Sequence, residues 1–314
     1  MSEHFEALVT ATYGRHLLVR DRAGRELKAR PFGRGHVVVC GDHVSCRIDP
    51  RSADIHVLDV HPRHGALYRS NARGGAEPVV ANLSQLLVVL APMPVPDLFV
   101  LDRYLAAATS GAIPAKLLVN KSESGIAGDL LAELEVYRSA GYDWLQCSVR
   151  SGEGMASLAA TCAGAITALV GQSGVGKSSL IRQLVPEARI EIGALVRDEE
   201  GRHTTTAARL FDMPTGGSLI DSPGVRDFAP AIDRLDRAHL GFIEVARLAQ
   251  RCRFKDCRHM REPGCAVSAA AAQGTLHPRR YESYRRLRRL YEDLTQARGP
   301  QSRGPSGRRP VRRS

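Results

Sequence analysis

The chain has 314 residues, 43% of them hydrophobic and 25% charged, a balance that excludes collagenous, fibrous and wholly disordered classes and leaves room for two or three domains. No apolar run approaches the ~18–20 residues of a membrane span, and the opening MSEHFEALVT has no basic segment before an apolar one, so a secretory leader is not expected and cytoplasm is the expected location. The formal net charge is +11, and all but five of the 44 basic residues are arginine. That balance suits a polyanionic partner, because neutralising phosphates releases counterions, and it equally suits a GC-rich coding bias.

In chain order, residues 1–75 read as short strands. EALVTATYGRHLLVR ends at the turn Asp21-Arg22-Ala23-Gly24, and ELKARP, HVVVCGDHVSCRID and DIHVLDVHPR follow. Strands at this spacing predict a small barrel of the OB type, an architecture that often binds RNA or single strands. Residues 76–229 alternate strand and helix: QLLVVLA, AKLLVN, DWLQCSV and AITALVG are apolar strands separated by helical segments, the pattern of a doubly wound α/β sheet. Residues 230–298 read as helical and polar. Tyr281, Tyr284, Leu287, Leu290, Tyr291 and Leu294 form an apolar stripe at helical spacing, with Arg285, Arg286, Arg288 and Arg289 off it as a solvated face. Residues 299–314 read as a disordered basic tail.

The strongest motif is Gly171-Gln172-Ser173-Gly174-Val175-Gly176-Lys177-Ser178, a G-x-x-x-x-G-K-[ST] P-loop extended by Ser179, with a strand before it and an amphipathic helix after it. Glycines let backbone amides approach phosphates, the helix N-terminus adds its positive end, Lys177 reaches the β- and γ-phosphates, and the Ser178 hydroxyl is a magnesium ligand. The chain has only five lysines, Lys28, Lys116, Lys121, Lys177 and Lys255, so the two in nucleotide motifs mark places where a compact ammonium is wanted.

About 50 residues on, a strand ends in Asp221-Ser222-Pro223-Gly224, which fits a carboxylate near magnesium and a glycine amide facing a γ-phosphate. Between them lies Gly201-Arg202-His203-Thr204-Thr205-Thr206; Thr205 is the preferred magnesium ligand of the three threonines. The base-reading element is expected after these and stands before them instead. Asn120-Lys121-Ser122-Glu123 resembles N-K-x-D, with Glu in place of Asp, and Ser148-Val149-Arg150 ends the next strand like the loop that backs the base. The extra methylene of Glu123 keeps the acceptor and changes its reach. The order is therefore that of a circularly permuted GTPase, in which the switch segments lead directly into the C-terminal region. An ATPase remains an alternative on the P-loop alone, as does an RNA-binding module that nucleotide only locks.

Of seven cysteines, Cys40, Cys46, Cys147 and Cys162 are scattered and read as small buried hydrophobes. The other three stand with a histidine as Cys252-x4-Cys257-x-His259-x5-Cys265, a closed Cys3His set that suits one structural zinc ion.

Together these motifs resemble the RsgA (YjeQ) family of small ribosomal subunit biogenesis GTPases over nearly the whole chain. The resemblance implies a circularly permuted GTPase core flanked by an OB-type barrel and a helical zinc-binding module. It implies a cytoplasmic enzyme that converts GTP to GDP and phosphate on the small ribosomal subunit late in assembly, with turnover stimulated by the subunit and barrel and zinc module on its rRNA. Nothing demands more than a monomer, and no membrane is involved. Many GTPases carry a water-orienting glutamine after D-x-x-G, where this chain has Val225; His203 is the candidate to place the water, with Lys177 and magnesium taking the developing charge.

Overall fold

Alternation of inward and outward side chains along five short strands closes the N-terminal unit. The computed structural model describes residues 4–14, 16–33, 37–70, 75–186, 208–222 and 229–297. Strands β1 (His4–Tyr13), β2 (His16–Asp21), β3 (Glu26–Pro31), β4 (His43–Ile48) and β5 (Ile55–Val60) pair in the order β1-β2-β3-β5-β4, and β4 pairs back to β1. Ala7, Val9, Val19, Ala29, Val44, Cys46 and Val57 fill the interior. The barrel of the sequence reading is thus present, its β3–β5 pair parallel and the rest antiparallel. The turn at residues 21–24 is held by the Asp21 carboxylate, which accepts from the amides of Ala23 and Arg25, each at 2.9 Å.

Residues 37–39, expected to begin a strand, do not. The Asp42 carboxylate takes the Val39 amide at 2.8 Å and both arms of Arg63 at 2.7 and 2.8 Å, a local bonding pattern that replaces the ladder. A hairpin that the periodicity did not reveal follows: β6 (Leu67–Ser70) and β7 (Ala76–Val80).

The α/β core comprises β8 (Gln85–Leu90), α1 (Leu98–Ser110), β9 (Ala115–Val119), α2 (Gly128–Ala140), β10 (Trp144–Gln146), α3 (Met155–Cys162), β11 (Ile166–Gly171), α4 (Lys177–Leu184), β12 (Ala208–Asp212) and β13 (Ser218–Asp221). Its order is β10-β9-β8-β11-β13-β12, parallel except for β12. The run QLLVVL is continuous because both faces of β8 are covered: Leu86, Val88 and Leu90 pack under α1 and α2, Leu87 and Val89 under α3 and α4. Beyond a bulge between Val9 and Ala11, β1 also pairs with β12, so barrel and core share one continuous sheet.

Three helices follow: α5 (Ile243–Ala249), α6 (Ala266–Ala272) and α7 (Pro278–Ala297). The α7 stripe is core at Tyr284 and Leu287, with Tyr281, Tyr291 and Leu294 packed against it, whereas Leu290 is exposed. Arg288 is not on a solvated face. It is buried, donating to the Arg237 and Ala238 carbonyls at 2.9 and 2.7 Å and to the Tyr284 hydroxyl. Among the described residues no helix is long and apolar enough to cross a membrane.

Candidate nucleotide site and metal-ligand cluster

The loops at the carboxyl ends of β8, β9, β10 and β11 meet where the strand order reverses, the place at which open α/β sheets bind ligands. The loop after β11 passes so close to β8 that a Cβ on Gly171 would lie 2.1 Å from the Val89 carbonyl oxygen. Gly176, at φ +95°, caps α4, and a Cβ there would lie 2.3 Å from Nδ2 of Asn120. Those two glycines leave the loop open for an anion at the amino end of α4. Lys177 is buried, and its Nζ donates to the carbonyls of Gly171 and Gln172, both at 2.6 Å. Gln172 accepts the Asp97 amide at 2.9 Å, Ser173 and Gly174 are exposed, and Val175 is buried. Ser178 and Ser179 stand on the first turn of α4, where Arg182 donates to the Ser179 hydroxyl at 3.3 Å.

Two residues of the segment that resembles a base-reading motif, 55 and 53 positions away from their partners in sequence, bond directly to this loop. Asn120 is buried and its Nδ2 donates to the Val175 carbonyl at 2.8 Å. Lys121, in the left-handed region at φ 61°, donates to Gly174 O at 2.6 Å and Met93 O at 3.1 Å. Cys147, read only as a buried hydrophobe, places its Sγ 3.7 Å from the Asn120 Oδ1, and burial pushes its thiol up to about 12, so it stays protonated as a donor. Its adjacency to Ser148 was the available signal. The Ser122 amide donates to Cys147 O at 3.2 Å, and the Ser122 hydroxyl is buried without a partner. Glu123 is exposed, and a hydrogen bond from Ser148, then its own amide and the charges of Arg150 and Lys121, hold its carboxyl below the usual range. Asn120, Lys121, Glu123 and Ser148 thus form one wall of a site whose floor is the P-loop. Such a wall could read a purine edge with an amide, a carboxylate and an alkyl ammonium.

Asp221 and Ser222 are buried at the end of β13, beside β11. His203, Thr204, Thr205, Thr206, Gly224, Val225 and the tail from Arg298 lie outside the described residues.

In the C-terminal unit the ligand atoms of Cys252, Cys257, His259 and Cys265 all lie within 4.8 Å of one another. Donors at ~2.3 Å (sulfur) and ~2.0 Å (nitrogen) from a tetrahedral ion stand ~3.5–3.8 Å apart. The separations here are 3.5 Å and 3.6 Å from the His259 Nδ1 to Cys252 and Cys265, and 4.0 Å between those two sulfurs. Spacing and donor chemistry therefore fit a metal of the zinc kind. Burial, with His239 and Arg288 nearby, pushes His259 down to about 4, which keeps its imidazole neutral and able to ligate. Tyr281 and Tyr284 of α7 donate to the carbonyls of His259 and Arg258 at 2.9 and 3.0 Å, pinning the ligand loop to the helix.

Residues 60–230 match the sequence model of the RsgA GTPase family. The small ribosomal subunit biogenesis GTPase RsgA of Azotobacter vinelandii is 44% identical over 289 residues, covering 89% of this chain and 84% of that protein. The chain belongs to the RsgA GTPase family. The protein of the same description from Pseudomonas fluorescens is 42% identical over 290 residues, with the same coverage. Membership makes the chain a P-loop GTP hydrolase and guanine nucleotide the ligand class of its site. The crystal structure of YjeQ from Thermotoga maritima superposes with a TM-score of 0.68 at 23% identity, covering 93% of this chain and 99% of that one. YloQ, described as a circularly permuted GTPase, gives the same score and identity over 96% of its length. These two bear on the fold alone, and they carry the same permuted architecture.

Proposed function

We propose that this chain hydrolyses GTP to GDP and phosphate on the small ribosomal subunit during its late maturation, and that the subunit stimulates turnover. The observation that carries this reading is the direct bonding of Asn120 and Lys121 to the loop at residues 174 and 175, which joins base reader and phosphate cradle into one site, in a chain whose relatives are described as small ribosomal subunit biogenesis GTPases.

In this reading Asn120, Lys121, Ser122, Glu123 and Ser148 hold guanine. The backbone of Gly171, Gln172, Ser173, Gly174, Val175, Gly176 and Ser179 cradles the phosphates. Lys177 leaves its loop carbonyls to meet the β- and γ-phosphates, where charge develops in the transition state. Ser178 and Thr205 would hold magnesium, with Asp221 behind it; when bound, the ion neutralises phosphate charge. The Gly224 amide faces the γ-phosphate, and His203 orients water where Val225 cannot. Cys252, Cys257, His259 and Cys265 hold one structural zinc.

Barrel (1–75), core (76–229) and zinc module (230–298) are the working divisions, with 299–314 a basic tail. Barrel and module contact rRNA, and the chain acts as a cytoplasmic monomer. The test is phosphate release from GTP and from ATP, with and without purified small subunits, with Lys177→Ala as control. Stimulation by the subunit with GTP only supports the reading. Tight GTP binding without stimulation favours a nucleotide-locked RNA-binding module, and equal use of ATP overturns the guanine assignment. Full subunit-stimulated turnover in His203→Ala removes that residue from the mechanism.

A further inference from the structure

The outer face of the barrel carries a row of basic side chains across four neighbouring strands. Register places His4 of β1 opposite Arg47 of β4, Arg47 opposite His56 of β5, and His56 opposite Arg30 of β3. Each points outward, because its sequence neighbours Phe5, Cys46, Val57 and Ala29 belong to or pack on the interior. The row contains no carboxylate; the nearest, Asp54, is bonded to Arg30 at 2.8 Å. Two positions past Arg30, on the same face, stands Phe32.

Phe32 is 53% exposed, the most exposed aromatic side chain among the described residues. It is nevertheless held in place. Its amide donates to Val57 O at 2.9 Å, the His56 ring meets it edge-on at 5.6 Å, and the Arg47 guanidinium lies 5.3 Å from its centroid. An ordered ring with an open face, flanked by a guanidinium and an imidazole, is an arrangement on which an unpaired base stacks while phosphates find positive charge and hydrogen-bond donors.

The opposite flank of the barrel is not available for this. Arg20 of β2 is bonded to Asp212 at 2.9 Å, and Arg209 of β12 reaches the Tyr13 hydroxyl at 3.1 Å and Glu26 at 3.3 Å. The β2 side, together with Glu26 at the start of β3, is thus bonded to the GTPase sheet, whereas the bond that Arg30 makes, four residues further along β3, is to Asp54 of the barrel itself.

We propose that this face binds single-stranded RNA, one unpaired base stacking on Phe32 and the flanking phosphates lying along Arg47, His56, His4 and Arg30. The site deepens the rRNA contact given to the barrel above and rests on that reading for its biological source.

The test is fluorescence anisotropy of the full chain with a labelled ten-nucleotide oligouridine, and with an RNA duplex of equal length, at one fixed salt concentration. Phe32→Ala is expected to weaken single-strand binding about 5- to 100-fold, the loss of one stacked base. Phe32→Leu, which keeps apolar bulk without a π face, should lose as much, whereas Phe32→Trp should stay within about twofold of the native chain and duplex binding should not change. Single-strand affinity unchanged in both Phe32→Ala and Phe32→Leu overturns the proposal and leaves the face to a protein partner. Equal losses on single strand and duplex overturn it as well, reducing the face to a phosphate patch. The subunit reading fails separately: a native chain whose turnover ignores the small subunit, yet whose oligouridine binding depends on Phe32, loses the former and keeps the latter.

Discussion

Gly176 sits where any side chain would meet the Asn120 amide at 2.3 Å, on a backbone at φ +95° that L-residues resist. In Gly176→Ala, Asn120 must give up either its bond to Val175 or its place in the base wall. GTP affinity should fall at least about tenfold and the melting temperature by a few degrees, on the order of the 1–2 kcal/mol that such strain costs, which isothermal titration and a melting curve read together. Glu123 supplies a carboxylate whose pKa the hydrogen bond from Ser148 lowers below the usual range. Glu123→Gln keeps the reach and loses the charge, so GTP should lose about tenfold or more in affinity while ATP is little changed, as competition binding would report.

At the scale of elements, buried polar groups join the GTPase core to the C-terminal helices. Asp102 of α1 is fully buried and accepts from Arg280 at 2.5 Å, Arg279 at 2.8 Å and the Tyr137 hydroxyl at 2.7 Å; Arg280 also donates to Glu244 of α5 at 2.6 Å. Asp102→Ala leaves the buried Arg280 with Glu244 as its one remaining carboxylate and should cost about 3 kcal/mol in denaturant unfolding. Glu262 plays a local part in the ligand loop. Burial opposes its ionisation, but the amides of Arg261, Met260 and Arg258, with its own, outweigh that and bring it to about 2 from 4.5. The sign follows: this stabilisation is full above pH 4.5 and is lost as pH falls toward 2. Glu262→Gln should remove on the order of 1 kcal/mol at neutral pH, solvent screening of this partly exposed group reducing the full effect, and should speed loss of the metal held by the cluster to a chelator, followed by a colorimetric metal indicator.

Over the whole molecule, the strand that leaves the segment 187–207 is not a free edge. Ala208 and Arg209 of β12 pair with Thr12 and Ala11 of β1, and on the other side of the core Arg69 of β6 bridges to Pro230, just past the segment 223–228. The described residues that follow both segments therefore pair with N-terminal structure. Deleting residues 1–63 would bare β12 as an edge strand, and the truncated chain should self-associate, visible in size exclusion as earlier elution than that of the full chain.

The chemistry of the nucleotide site was legible in sequence because it is local. A P-loop needs its glycines, lysine and serine at fixed offsets, and Cys252, Cys257, His259 and Cys265 lie within fourteen residues. The permuted order could be read for the same reason, since each motif identifies itself wherever it stands. Strand periodicity likewise carried the barrel and the two-faced sheet. Tertiary structure alone decided what depends on meetings across long separations: Asn120 with Val175, Cys147 with Asn120, Arg280 with Asp102, and β1 with β12. Arg288 makes the reason plain. A charge at an off-stripe helical position is expected to face water, and the carbonyls of Arg237 and Ala238, brought there by the fold, together with the Tyr284 hydroxyl make its burial tolerable.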